Sequence, residues 1–410
     1  MSILYILLVL LIVTRLFGEL AERFKQPALL GELISGICLG MLVHRFDATF
    51  PILAGLADNE VFQSLTDLGI FFLMLLGGIE LHPAKLMKAS KNALWIAFAG
   101  MVLPLGIGVA FGYVTLPETD LKSAQLLFLG TAMAVTAVPV SIKALMDLGK
   151  LETEVGQIIV SAAVIDDILS LVLLAVLTSF ISTGTVPDLT TFLLIAGKIG
   201  LFFIIAGLLG KHVFPRLGKL VGRGRADEFE FSMLLIAGLA YALMAEALGM
   251  HFIIGAFIAG LFFRKSTISE DVYQDTLRKV SGLTTGFFAP IFFASIGMHL
   301  DTSALIHIPG FILGLILIAT LGKLLGAGLS ARMSGLSNTD ALAIGAGMNA
   351  RGAVELIIAD IALRAGIFDL AGRELPIISN MFSAVVIMAL VTTLMTPPAL
   401  KWLMADRKNS

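Results

Sequence analysis

The stretch "VIDDILSLV", residues 164–172, lies inside the apolar run "VGQIIVSAAVIDDILSLVLLAVLTSF", residues 155–180. Between Glu154 and Asp188 its adjacent acids, Asp166 and Asp167, are the only charged residues. A helix needs roughly 20 apolar residues to cross a bilayer's hydrocarbon core, and this run exceeds that. An acid at the centre of such a helix costs about 2.5–3.5 kcal/mol on insertion scales. Intramembrane acids are therefore read as functional by default, and here there are two in succession.

The rest of the chain has the same character. Its 410 residues are 58% hydrophobic and 14% charged, with a mean hydropathy of +0.97. A soluble domain is nearer to one quarter charged. The single cysteine, Cys38, excludes a disulfide framework and a thiolate metal cluster. No Walker A motif and no long basic run is present, so ATP-driven pumping and nucleic-acid binding have no support. No cofactor, catalytic constellation or nucleotide-binding domain is expected.

Apolar runs of bilayer length recur along the chain and predict about thirteen spans. They cover residues 3–20, 29–43, 65–81, 93–114, 123–145, 155–180, 190–213, 229–248, 252–263, 277–298, 308–329, 341–363 and 375–400. No Lys or Arg precedes the first run and no small-residue cleavage site follows it, so it reads as a retained span with its N-terminus outside. An odd number of crossings then puts the C-terminus in the cytoplasm. The basic residues agree. Loops placed inside hold Lys85, Lys88 and Lys91, and Lys211, Arg216, Lys219, Arg223 and Arg225; those placed outside hold only Arg45, Lys122, Arg364 and Arg373. This is the positive-inside pattern. Arg15 and Lys198 lie near span ends, where they can snorkel to the interface. Lys323 and Arg351 lie deeper. Glu32, Glu80 and Glu246 lie near span ends and read as interfacial. The glycines of "GIGVAFG", residues 106–112, read as helix-packing residues and not as a nucleotide loop.

Two spans are interrupted. "TAMAVTAVPVSIKAL", residues 131–145, places Pro139 mid-membrane with Thr136 before it. Proline removes a backbone donor and clashes with the preceding turn. "GAGMNARGAVELIIAD", residues 345–360, is interrupted by Asn349, Arg351 and Gly352. Unwound backbone at membrane depth survives only where it lines a cavity or is buried in protein. An odd number of crossings separates the two broken spans, so they run in opposite directions. The pattern is that of an inverted repeat with a site at the bilayer midplane.

These residues resemble the monovalent cation:proton antiporter-2 family along nearly the whole chain. "RFKQPALLGELISGICLG" (residues 23–40), "LGIFFLMLLGGIEL" (68–81), "TAVPVSIKAL" (136–145), "VIDDILSLV", "PIFFASIGMHLD" (290–301), "LGKLLGA" (321–327) and "NARGAVELIIA" (349–359) follow in the family's order. The resemblance implies an all-α polytopic membrane protein of two inverted six-helix repeats, its two broken helices crossing at the midplane. It implies a dimerisation domain from 1–83 and 229–303, a transport core from 84–185 and 304–410, and a linker helix within 186–228. It implies a homodimer in the lipid bilayer, a bacterial inner membrane in the first instance, exchanging sodium or potassium for protons in pH homeostasis. Some members add a cytosolic nucleotide-sensing domain, and no such domain is expected in a chain ending at Ser410.

Chemistry gives the acid pair a purpose. Neighbours on a helix point about 100° apart, so one acid can face an ion path and the other a protein partner. A desolvated carboxylate takes up a proton more readily. It can hold a proton or a metal cation at working pH, but hardly both, and that exclusivity couples the two ions. By resemblance Asp167 is the shared ion and proton site, and Asp166 pairs with Lys323. In the family an acidic pair accompanies electrogenic exchange, with sodium the expected ion. Lys323 is a proton carrier or a counter-charge only. Thr136 is a candidate cation ligand, although its hydroxyl can also back-bond within a kinked helix. Arg351 and Glu355, four apart on one helix face, are expected to pair and steady the broken helix. Electroneutral potassium/proton exchange, and sodium-coupled symport on the same architecture, are the alternatives. An intramembrane aspartyl protease needs acids from separate helices flanking one bond, which adjacent acids cannot provide. A channel would want a repeated filter loop, and none is visible.

Overall fold

Backbone in lipid has no water to bond to, so a spanning segment must satisfy its own N–H and C=O groups. The chain does this with helices. The computed structural model describes residues 2–45, 56, 59–80, 91–183, 189–212, 228–263, 270–369 and 375–404. The main helices are α1 (Ser2–Arg23), α2 (Ala28–Arg45), α3 (Glu60–Glu80), α4 (Lys91–Thr115), α5 (Lys122–Ala134), α6 (Val138–Asp147), α7 (Glu154–Thr183) and α8 (Leu189–His212). After these come α9 (Phe229–Ala247), α10 (Phe252–Phe262), α11 (Glu270–His299), α12 (Pro309–Met333), α13 (Asn338–Gly347), α14 (Ala353–Arg364) and α15 (Met381–Leu403). Among the described residues, eight helices are long and apolar enough to cross a membrane, and α2 and α10 are apolar but shorter. The expected spans at 123–145 and 341–363 each fall on a broken pair, α5/α6 and α13/α14. Of the loop residues that carry the charge argument, Lys85, Lys88, Arg216, Lys219, Arg223, Arg225 and Arg373 lie outside the described residues.

The chain divides into two compact units: Met1–Pro83 with Pro187–His299, and Ala84–Val186 with Leu300–Ser410. In the first unit α2 lies against α11 almost backbone to backbone. A Cβ added to Gly36 would sit 2.1 Å from the Ala294 carbonyl oxygen, and one added to Gly297 would sit 2.2 Å from that of Leu33. Small residues allow such approach where lipid supplies no hydrophobic drive between helices. Ile6, Leu10, Leu39, Phe62 and Ile291 fill the core beside it.

Two charged residues meet here: Arg15, about half exposed, donates to the Thr285 carbonyl and lies 3.7 Å from Glu32, which is buried. Thr285 belongs to a π turn of α11, Thr284–Phe288, which displaces carbonyls from the regular ladder. A carbonyl in that turn can accept a side-chain donor, and Arg15 supplies one.

In the second unit α4 packs antiparallel to α12. Phe111 stacks on Phe311 with centroids 5.3 Å apart, Pro104 faces Gly322, and Gly100 faces Ala327. Like α11, α12 carries a π turn, Leu324–Gly328, which begins at the residue after Lys323. Ala97, Ile159, Ala163, Ile344 and Met348 form the core between α4, α7 and α13.

Candidate functional site

The site forms where the two broken helices meet inside the second unit. Helix α5 stops at Ala134; Val135 and Ala137 are extended, and α6 starts at Val138. Pro139, expected to kink a continuous helix, stands instead in the first turn of α6. A helix start leaves its N–H groups without intrahelical partners, so a missing donor does no harm there. The second break runs from Met348 to Gly352, between α13 and α14.

The breaks bond to each other. The Ala137 N–H donates to the Ala350 carbonyl at 2.8 Å. The Thr136 hydroxyl donates to the Met348 carbonyl at 3.1 Å, and the Ser141 hydroxyl donates to that of Gly347. Gly352 has an extended backbone that any residue could adopt, so its role is steric: a Cβ there would lie 2.7 Å from the Ala137 Cβ.

A helix that ends in lipid exposes its last carbonyls, which carry the negative end of its dipole. Two buried cations meet that need at α5. The Arg351 guanidinium donates to the carbonyls of Ala132, Val135 (2.9 Å) and Met133 (2.8 Å). The Lys323 ammonium donates to the Ala134 carbonyl and, at 2.7 Å, to the Thr136 hydroxyl. Both side chains are fully buried. The expected Arg351–Glu355 pair is present at 3.7 Å, but among the described residues neither Glu355 oxygen has a hydrogen-bond partner, and the principal contacts of Arg351 are the carbonyls at the end of α5. Glu355 is buried in the first turn of α14, where the helix dipole favours a negative charge. From α15, Thr393 accepts from the Arg351 N–H at 3.1 Å and donates to its carbonyl at 2.7 Å. Asn349 donates to Thr320 across 3.4 Å.

The acid pair enters on α7, which packs against α5, α6 and α13. Asp166 is completely buried, with a carboxylate oxygen 3.7 Å from the Lys323 ammonium. Its carboxylate also faces the Thr136 hydroxyl and backbone N–H. Asp167 is partly exposed. The structure thus gathers Asp166, Thr136, Lys323, Arg351, Glu355, Asn349 and Gly352 around one crossing, with Asp167 beside it on α7. Sequence reasoning missed Ser141 and Thr393, which bond to backbone groups far away in the chain, and Thr320, which accepts from the Asn349 amide. Chemically, the crossing sets buried carboxylates beside an ammonium and a guanidinium, an arrangement suited to binding and releasing protons and small cations.

Comparison with known proteins places the chain in a family. The family profile described as sodium/hydrogen exchanger, transmembrane, matches residues 7–405. The chain is 34% identical over 393 residues to the Na(+)/H(+)-K(+) antiporter GerN of Bacillus cereus, covering 96% of this chain and 94% of that protein. It is 30% identical over 405 residues to the Na(+)/H(+) antiporter of Enterococcus hirae, covering 98% of each. Its fold matches the solved structure of the sodium proton antiporter MjNhaP1 from Methanocaldococcus jannaschii at pH 8 with a TM-score of 0.71, at 21% identity over 98% of this chain and 97% of that one.

Proposed function

The chain belongs to the sodium/hydrogen exchanger family, and on that premise we propose that it exchanges sodium for protons across a membrane, with Asp167 as the site both ions use in turn. It is an integral membrane transporter. One observation carries the reading: a fully buried acid already matched by an ammonium, next to a second, partly exposed acid on the same helix. Asp166 is occupied electrostatically by Lys323, which leaves Asp167 to take a proton or a dehydrated cation. Thr136, already bonded to Lys323 and to the opposite break, is the hydroxyl best placed to report occupancy to both.

On this reading a cation that draws Asp166 away lets Lys323 lose its proton. Two protons then leave for each sodium that enters, and exchange is electrogenic. The first unit serves as the dimerisation domain of a homodimer, and the second is the transport core. The protein sits in a bacterial inner membrane with its C-terminus in the cytoplasm. Potassium is a second candidate ion, favoured by the name of the Bacillus cereus relative.

The deciding experiment uses proteoliposomes with a trapped pH dye, pulsed with sodium, lithium or potassium chloride in turn. Dissipation of an imposed proton gradient by sodium supports the reading. A protein that is folded and inserted, yet moves no protons with any of the three cations, overturns it.

A further inference from the structure

The exposed side of α4 and α12 carries a groove of about 800 Å³ that the exchange reading does not use. Trp95, Phe98, Val102 and Leu103 of α4 form one wall, and Leu325, Leu329 and Met333 of α12 form the other. Both helices are long and apolar enough to cross a membrane, which would set this groove against lipid.

The two ends of the groove differ. Because α4 and α12 run antiparallel in the register set by Gly100–Ala327 and Pro104–Gly322, the start of α4 lies beside the end of α12. That end is lined by Trp95, Ser330 and Ser334, with the exposed Arg332 in the last turn of α12, where it donates to the Leu336 carbonyl at 2.9 Å and keeps further donors free of that bond. Trp95 is 65% exposed, and tryptophan favours the headgroup level of a bilayer. The other end, at Gly106, Ile107 and Ala110, is wholly apolar. From Trp95 to Ala110 the helix rises roughly 22 Å at 1.5 Å per residue, somewhat more than the roughly 15 Å of one leaflet's hydrocarbon. The floor includes Leu325 and Gly326 of the π turn that follows Lys323.

We infer that this groove is a binding site for one anionic phospholipid, with a tail along Phe98–Ala110 and the phosphate at the Arg332 end. The shape matches an amphiphile: basic, hydroxylated and aromatic at one end, apolar at the other, one lipid long. A basic side chain near the surface adds attraction for an anionic headgroup that a zwitterionic one lacks. The tail rests against the π turn that begins just after Lys323.

Gly106 supplies the test. It lines the groove, and a Cβ added there meets nothing within 4 Å, so Gly106→Leu starts its side chain in open space and extends it into the groove; Ala110→Leu is the second filling variant. The protein has two tryptophans, Trp95 and Trp402. In a Trp402→Phe background, Trp95 fluorescence is measured in vesicles with increasing fractions of tail-brominated phosphatidylglycerol or tail-brominated phosphatidylcholine. Brominated phosphatidylglycerol is expected to quench at a several-fold lower mole fraction. Either filling variant, with unchanged melting, is expected to make the two curves coincide. Arg332→Gln is expected to bring the phosphatidylglycerol curve towards that of phosphatidylcholine. Coincident curves in the parent protein mean annular contact only and overturn the site. So does a phosphatidylglycerol preference that survives both filling variants. Lack of quenching by either lipid, as a protein chain covering Trp95 would produce, overturns it too. None of these readouts depends on transport.

Discussion

The Thr393 hydroxyl holds Arg351 by both ends of its backbone, accepting from the N–H at 3.1 Å and donating to the carbonyl at 2.7 Å. One side chain of α15 thereby satisfies two peptide groups that the second break leaves without helical partners. It also fixes the point from which the Arg351 side chain reaches the carbonyls of Ala132, Met133 and Val135.

Thr393→Val keeps the volume and removes both bonds. Each buried polar group left without a partner costs about 1–3 kcal/mol. The variant is expected to lose about 2–6 kcal/mol in total, and its melting temperature in detergent should fall accordingly. Thr393→Ser keeps the hydroxyl and is expected to melt near the parent. Unchanged melting of Thr393→Val would contradict the clamp.

The contact between Gly352 and Ala137 allows a compensation experiment. Gly352→Ala brings two Cβ atoms to 2.7 Å, a distance that real side chains do not tolerate, so the crossing must open. Exchange is expected to fall at least tenfold. Adding Ala137→Gly removes the opposing Cβ and is expected to restore most of the activity. Failure of the double variant to exceed the single one would place the defect elsewhere.

Asp167→Asn is expected to abolish cation-induced dissipation of a proton gradient and to leave size-exclusion elution unchanged. Its amide is near in shape but can neither release a proton nor neutralise a cation. Asp166→Asn is expected to differ, because it strands the Lys323 ammonium without its carboxylate. Removing one partner of a buried ion pair destabilises by about 3–5 kcal/mol, so that variant should melt lower. Near-normal exchange by a folded Asp167→Asn protein sinks the shared-site mechanism.

Charge movement tests the part played by Lys323. With two protons leaving per sodium, a membrane potential supplies about 2.3 kcal/mol per net charge per 100 mV. Wild-type rates are expected to follow a potential set with valinomycin, sodium being the transported ion. Lys323→Gln is expected to melt lower, since the Ala134 carbonyl and Asp166 lose their cation. Its residual exchange should respond less to voltage. Wild-type rates indifferent to the potential refute the two-proton scheme and leave sodium/proton exchange standing.

Much of this was legible in the residues. Apolar runs located the helices, because bilayer thickness fixes their approximate length, but several ends lie four to seven residues from the expected ones: α3 starts at Glu60 and α11 at Glu270, and α15 only at Met381. Pro139, and the Asn349–Gly352 interruption, located both breaks. The partners were not legible. The sequence pairs Arg351 with Glu355 by helical spacing, yet the guanidinium spends its donors on carbonyls 216 to 219 residues away. A backbone carbonyl has no residue identity, so no pattern of side chains announces it as a partner. For the same reason Ser141 and Thr393 read as ordinary polar residues in apolar spans, and the two π turns leave no sequence mark.

Chain order gives the capping of α5 a temporal side. Ala132 and Arg351 are separated by 219 residues. At about 5–20 residues per second, a ribosome needs roughly 10–45 s to make that stretch. Throughout that interval the end of α5 has been synthesised and its guanidinium has not. Its carbonyls must find interim company in water, in the insertion machinery or in a different packing of the early helices. The first half of the second unit therefore cannot reach its final form on its own. Its completion waits on the arrival of the last quarter of the chain, and a nascent protein stalled before Arg351 is one that quality control should recognise as unfinished.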